Sequence, residues 1–278
     1  MTETPAPATP EGRSADSPAE TPSGGSGPAL RPLHMVAVLV LTWAGVLGAF
    51  MLPQVRGDGV LAEVAYWVSF SGKEALVLVA ALGTGLVISG AKLCERRSTL
   101  IWGLVGMLAA AFVVGGGALF NEVALKRTLA VPRPFVKRLA AEGHLGMSAQ
   151  EFYALGDKEA RREHLRQVLT PAVTPDLSER LRAHWVVETG YSFPSGHSYA
   201  ATSCAALYLA WGLFLGVAGW RRVALGLFLP WGLAVCYSRP MLGVHSPLDV
   251  TVGCALGFLF GGAAAYGLYR VSRPAPQS

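Results

Sequence analysis

Six apolar runs, at about 34–52, 74–92, 99–120, 198–219, 223–241 and 247–269, constrain this chain more than any other feature. Most reach the roughly 18 residues that a helix needs to cross a bilayer. In lipid a helix satisfies its backbone polar groups within its own segment. The expected fold is therefore all-α: a polytopic membrane protein, a bundle of six transmembrane helices. Composition agrees, with 52% hydrophobic and only 15% charged residues, against about 25% charged in an ordinary domain. The fifth run is the weak one. Only 16 residues separate Arg222 from Arg239, and Pro230 interrupts them, so this span must be short, kinked, or helped by arginines reaching toward the interfaces. A re-entrant hairpin, or five spans in all, are its alternatives. In the sixth run Gly253, Gly257 and Gly261 recur every four residues, which predicts a nearly bare helix face for close packing.

Residues 1–32 are rich in Pro, Ala, Ser, Thr, Gly and Glu. Such a stretch buries too little apolar surface to offset its chain entropy, and reads as a disordered cytoplasmic tail ahead of a membrane domain over 33–278. The tail argues for a retained first span and against a cleaved signal peptide. Lys and Arg in the short connections set the orientation. With the N-terminus cytoplasmic, the inner side receives Lys92, Arg96, Arg97, Arg221, Arg222, Arg270 and Arg273, and the short outer connection after the first span carries only Arg56 and Lys73, the bias expected of cytoplasmic loops. Both termini are then cytoplasmic. The segments 121–194 and 237–249 share the outer face of a bacterial inner (plasma) membrane.

Residues 121–194 are too many for a simple connection. Ser148-Ala149-Gln150-Glu151 forms a capping box, Asp157 can cap a helix over 158–169, and Thr174-Pro175 can open one running to about Glu188. Apolar positions alternate there with Arg and Glu, as in helices lying on a membrane surface. This predicts an outer helical insertion at about 135–194, a lid or else a small cap with no part in substrate entry. The net charge of +5 comes from arginines scattered at the ends of apolar runs, with no basic stripe interleaved with aromatics. Nucleic acid is excluded as a partner, anionic lipid of the bilayer is favoured, and no obligate protein partner is expected. Cys94, Cys204, Cys236 and Cys254 stand singly without metal-ligand spacing, so neither disulfide nor zinc is expected.

Three clusters carry chemistry. The stretch Tyr237 to Asp249 places Arg239, His245 and Asp249 at the mouth of an apolar segment. Charge there is costly unless something anionic or reactive needs it. Ser246 can cap a helix starting at Pro247, which puts Asp249 on the first turn and His245 just before it. A carboxylate on one imidazole nitrogen fixes the tautomer and frees the other to attack or carry a proton. The competing account is a bare capping box, with Asp249 facing back to the backbone and His245 merely interfacial. Lys126 and Arg133-Pro134 close the third run, and Phe193-Pro194-Ser195-Gly196-His197-Ser198 opens the fourth. Alone, the two cations are ordinary interface anchors. Together, on one side of the membrane, the three clusters are not a coincidence.

Lys-(six residues)-Arg-Pro, Pro-Ser-Gly-His and Ser-Arg-(five)-His-(three)-Asp, in this order, resemble the type 2 phosphatidic acid phosphatase superfamily, whose members cleave phosphate esters and anhydrides without metal. The region from Asn121 to Asp249, including Glu151-Phe152-Tyr153 and His184 to Tyr191, is similar to the bacterial phosphatidylglycerophosphatases of that superfamily. The N-terminal tail lies outside the resemblance, and the first two spans match only in hydropathy. The residues support the same chemistry. A phosphoryl transition state spreads charge over three oxygens, and arginine forks, a lysine and helix-start N–H groups match such oxygens. This predicts a cradle of Lys126, Arg133, Ser195, Gly196 and Arg239, with glycine permitting close approach.

The resemblance implies that His245 is the nucleophile, forming a phosphohistidine, with Asp249 orienting its far nitrogen. His197 is placed to protonate the leaving oxygen and then activate water. No acidic or histidine-rich cluster is left over, so no metal and no cofactor is expected. Glu188 is a secondary candidate, polarising a histidine or meeting the lipid head group; a helix-end carboxylate without a role is the rival account, and the shared motifs do not include it. The implied reaction removes the terminal phosphate of phosphatidylglycerophosphate. Phosphatidic acid and diacylglycerol pyrophosphate are further candidates, and undecaprenyl pyrophosphate, an isoprenoid phosphate, is the main alternative. A transporter fits less well, because transport sites lie near the midplane on broken helices. A vanadium haloperoxidase shares the pocket type but belongs to soluble relatives.

Overall fold

The structure, a computed structural model, describes residues 1–2, 59–91 and 96–272. The first apolar run, most of the tail and Cys94 lie outside them. Every regular element among the described residues is a helix. In chain order these are α1 (Val60–Glu74), α2 (Leu76–Gly90), α3 (Arg96–Ala110), α4 (Pro134–Ala141), α5 (Ala149–Ala154), α6 (Lys158–Val168), α7 (Glu179–Val187), α8 (Gly196–Phe214), α9 (Gly219–Gly226), α10 (Phe228–Met241) and α11 (Pro247–Ser272). Two stretches are long and apolar enough to cross a bilayer, Ser98–Ala141 and Pro247–Ser272. The pair α1 and α2, bent by 66°, makes a third if it is one span.

The rod that begins at α3 runs on to Leu129 through two wide π-type segments, Ala111–Gly116 and Asn121–Leu125. At the first of these, the Tyr199 hydroxyl of α8 donates to the Val113 carbonyl at 2.7 Å and lies where a Cβ on Gly117 would stand. The rod delivers Lys126 at its far end.

The helix α8 is the hub. Its Ala201, Cys204, Leu207, Tyr208 and Trp211 are buried, so the fourth run, expected as a span over about 198–219, is the core helix and ends at Phe214. Along it lies α11 through the glycine stripe. A Cβ on Gly253 would stand 2.5 Å from the Ser195 carbonyl oxygen, and Gly257 and Gly261 meet the backbone of Tyr199 and Ser203 as closely. Alanine in place of Gly253 gains about 0.8–1.0 kcal/mol in helix propensity but overpacks a backbone that cannot step aside, at about 1–3 kcal/mol. We therefore expect Gly253→Ala to lower the melting temperature in detergent. An unchanged or raised melting temperature would show that the two helices tolerate separation.

Two elements differ from expectation. Residues 60–74, expected to belong to a connection, form α1, which buries Ala62, Ala65, Ser69 and Gly72 along one face. Its Gly72 packs against Val235 of α10, and Trp231 Nε1 donates to Ser71 Oγ at 3.1 Å. The helix expected from Thr174 starts instead at Glu179, because Ser178 Oγ takes the Leu181 N–H at 3.2 Å while Thr174 donates back to the Thr170 carbonyl at 3.0 Å. The weak fifth run breaks at Leu227 into α9 and α10. The caps at Ser148 and Asp157 form as expected.

A second apolar cluster lies within 134–188. Phe135, Leu139, Phe152, Leu165 and Trp185 pack with Leu242 and Val244, which seats the short helices on the turn that precedes α11.

Candidate active site

The turn between α10 and α11 is built to present His245. Gly243 takes φ +70 with the Trp185 ring 3.4 Å from where a Cβ would stand, a left-handed backbone that suits glycine. Trp185 Nε1 donates to the Leu242 carbonyl at 2.8 Å, Phe135 N–H to that of Gly243 at 3.2 Å, and Val244 N–H to that of Arg239 at 3.2 Å. The turn is thus clamped from both sides.

At the start of α11, Ser246 and Asp249 exchange capping bonds. The Ser246 N–H meets Asp249 Oδ2 at 2.7 Å, and the Asp249 N–H meets Ser246 Oγ at 3.2 Å. The same Oδ2 accepts the Ser192 hydroxyl at 2.9 Å and lies 3.5 Å from His245 Nδ1. Cap and histidine partner, rivals on sequence grounds, are therefore one carboxylate serving both. At 3.5 Å the histidine contact is longer than a good hydrogen bond.

On the other side of the ring, Arg133 NH1 lies 3.2 Å from His245 Nε2. A guanidinium only donates, so Nε2 is the acceptor and the ring proton sits on Nδ1, toward Asp249. Burial, reinforced by the Arg133 charge, pushes the His245 imidazole down from its ordinary range. The ring is neutral, with its lone pair on Nε2.

Arg133 is itself buried. Its Nε donates to the Gly190 carbonyl at 2.8 Å, NH1 also to that of Val244 at 3.0 Å, and its N–H to Tyr153 Oη at 3.2 Å. Its NH2 pairs with Glu188 Oε2 at 2.6 Å, and Arg239 NH2 with Glu188 Oε1 at 2.7 Å. Arg239 also donates to Ser69 Oγ of α1. Lys126 pairs with Glu122 at 2.9 Å, and Glu122 with Lys158. Burial alone would raise the Glu188 pKa, but Arg133 and Arg239 outweigh it and hold the carboxyl well below the usual range. His184, 3.9 Å from Glu188, is pushed down to about 4 by burial and by Arg239.

Lys126, Arg133, Glu188, Gly196, His197 and His245 open on one cavity of 610 Å³. Three separate pieces of chain thus converge, and the two histidines face the same space. Ser195, Arg239 and Asp249 stand behind the wall. The Ser195 N–H donates to the Asp249 carbonyl at 2.9 Å, and Ser195 Oγ accepts the Ser198 hydroxyl at 2.9 Å, so this serine ties α8 to α11. The first-turn N–H groups of Gly196 and His197 have no partner within the helix. Sequence reasoning gave no site role to Ser192, Tyr153, His184 or Ser69, which the structure brings beside it, and held Glu188 as a secondary candidate; the structure sets Glu188 between Arg133 and Arg239. Among the described residues no three His, Cys, Asp or Glu side chains gather as a metal ion would require.

A family model for the PAP2 superfamily matches residues 99–273. The chain belongs to the PAP2 superfamily and is a phosphatase, a hydrolase carried on apolar helices of a membrane protein. It is 33% identical over 219 residues to phosphatidylglycerophosphatase B of Escherichia coli strain K12, covering 77% of this chain and 79% of the relative. It is 32% identical over 162 residues to phosphatidylglycerophosphatase B of Haemophilus influenzae, covering 58% of this chain and 61% of that one.

Proposed function

We propose that this chain is a metal-independent lipid phosphatase that removes the terminal phosphate of phosphatidylglycerophosphate through a phosphohistidine on His245. The observation that carries the proposal is the neutral His245 ring, lone pair on Nε2, beside Arg133 in the cavity shared with His197 and Lys126. Nε2 attacks phosphorus in line. The P–O bond to the glycerol oxygen breaks, and His197 gives that oxygen its proton, so the lipid alcohol departs. His197, now the base, takes a proton from water, whose oxygen attacks phosphorus and returns Nε2 to its free state as orthophosphate leaves. Asp249 steadies the Nδ1–H that grows more acidic as the ring acquires charge. Lys126, Arg133, Arg239 and the Gly196 amide offset the charge on the equatorial oxygens.

Residues 33–278 form the phosphatase domain in this proposal, six spans deep in the plasma membrane, with the insertion at about 135–194 and the site on the outer face. Two contacts support the layout. Arg221, an inner-side cation, donates to Ser89 near the end of α2, and Lys73, an outer one, lines the cavity.

Phosphate release from purified phosphatidylglycerophosphate and undecaprenyl pyrophosphate, compared as kcat/KM, tests the substrate. We expect the former to be preferred, and a preference for the isoprenoid would transfer the main role to it. We further expect full turnover in EDTA and inhibition by orthovanadate, which mimics five-coordinate phosphorus. Activity abolished by the chelator and restored by Mg²⁺ would overturn the mechanism.

A further inference from the structure

Glu188 gives each carboxylate oxygen to a different arginine of the cradle, Arg133 and Arg239. The first of these has little else to offer. Arg133 has already committed Nε to Gly190 and NH1 to Val244 and His245, out of the five N–H groups a guanidinium carries. Arg239 gives NH1 to Ser69, and its buried Nε has no hydrogen-bond partner. Arg133 therefore has no two-pronged edge open to a phosphate oxygen while Glu188 stays bound, and Arg239 meets Glu188 through the NH2 it would turn to a phosphate. Glu188 itself lines the cavity with His197 and His245, so it borders the space that an incoming anion must enter. The charges say the same. One carboxylate leaves the two arginines with a surplus of one positive charge, and a dianionic phosphomonoester would neutralise both.

We propose that Glu188 is a resident stand-in for substrate phosphate: it holds Arg133 and Arg239 in place in the empty site and is exchanged for the phosphoryl group when substrate docks. The proposal rests on the phosphatase function above. Glu188 is a positioning residue here. It keeps two buried arginines paired between turnovers, and its competition for them weakens every anion that binds.

The test is the thermal stabilisation of the full chain in detergent micelles by orthovanadate, titrated with wild type, Glu188→Gln and Glu188→Asp. Removing the competing charge should lower the half-saturating vanadate concentration about tenfold in the glutamine variant. The aspartate variant, which keeps the charge, should stay within about threefold of wild type. A merely structural Glu188 would do the opposite, since disordered arginines bind anions more weakly. Unchanged or weakened binding in Glu188→Gln overturns the proposal. Hydrogen exchange on the wild type needs no variant to fold: saturating vanadate should speed exchange at residues 187–190 while slowing it at 243–249. Slowing at both would mean that Glu188 stays in place and would overturn the exchange. A wild type that neither hydrolyses lipid phosphate nor binds vanadate removes the phosphatase function and this inference together. A wild type that does both, with a weakened glutamine variant, removes this inference alone.

Discussion

Replacing His245 with alanine should abolish phosphate release, lowering kcat by at least about 10⁴-fold, as removal of a covalent nucleophile does elsewhere. The expected loss is chemical, because the neighbours keep their partners. Arg133 retains Gly190, Val244 and Glu188, and Asp249 retains Ser246 and Ser192. His245→Ala should therefore extract, migrate as a single species and melt cooperatively. A second readout identifies the intermediate. Brief incubation with lipid labelled in its terminal phosphate should leave acid-labile phosphate on the wild-type chain and none on the variant. Near-normal turnover by a folded His245→Ala protein would remove His245 from the mechanism, and acid-stable label would move the covalent step to another residue.

Much of this site was legible because its chemistry is local. Ser246, Pro247 and Asp249 lie within one helix turn of His245, so capping rules place the carboxylate on the first turn of α11, near the ring, while leaving open whether it faces the ring or the backbone. The Gly253, Gly257 and Gly261 stripe was legible for the same reason, a period readable on one helix. Glu188 was not. Its partners lie far away at the start of α4 and on α10, and a carboxylate at a helix end has the same local pattern with or without two arginines. The helix α1 was hidden differently. It packs through small residues, Ala62, Ala65, Ser69 and Gly72, that let backbones approach without raising hydropathy, and its Glu63, Lys73 and Glu74 make the segment read as a loop. The hub role of α8 was invisible because its polar Thr202 and Ser203 lower its apolarity, although both are buried. Thr202 meets the carbonyls of Ser198 at 2.6 Å and Cys254 at 3.3 Å. Burial inside a bundle and exposure to lipid leave similar marks on a sequence.

Arg133 should be the second most sensitive position, and for two separable reasons. It is a structural tie, joining the start of α4 to Gly190 before the second motif and to Val244 beside His245, and in the proposed mechanism it is a phosphate ligand that sets the His245 tautomer. Arg133→Ala removes both functions and leaves the Glu188 carboxylate one arginine short in a buried place. Breaking a buried pair in this way costs about 3–5 kcal/mol, so a lower melting temperature should accompany the loss of activity. Arg133→Lys separates the two. A lysine keeps the charge but lacks the planar fork, and cannot meet Gly190, Val244, His245 and Glu188 together. We expect its melting temperature to lie between those of the alanine variant and wild type, with kcat/KM lowered about 10²- to 10³-fold, the range found when a transition-state donor is lost. Adding Glu188→Gln to Arg133→Ala should recover part of the lost stability, since the stranded carboxylate is neutralised, without recovering turnover. Wild-type turnover by Arg133→Lys would show that only the charge at this position matters, and stability left unchanged by the second substitution would mean that Arg239 alone satisfies Glu188.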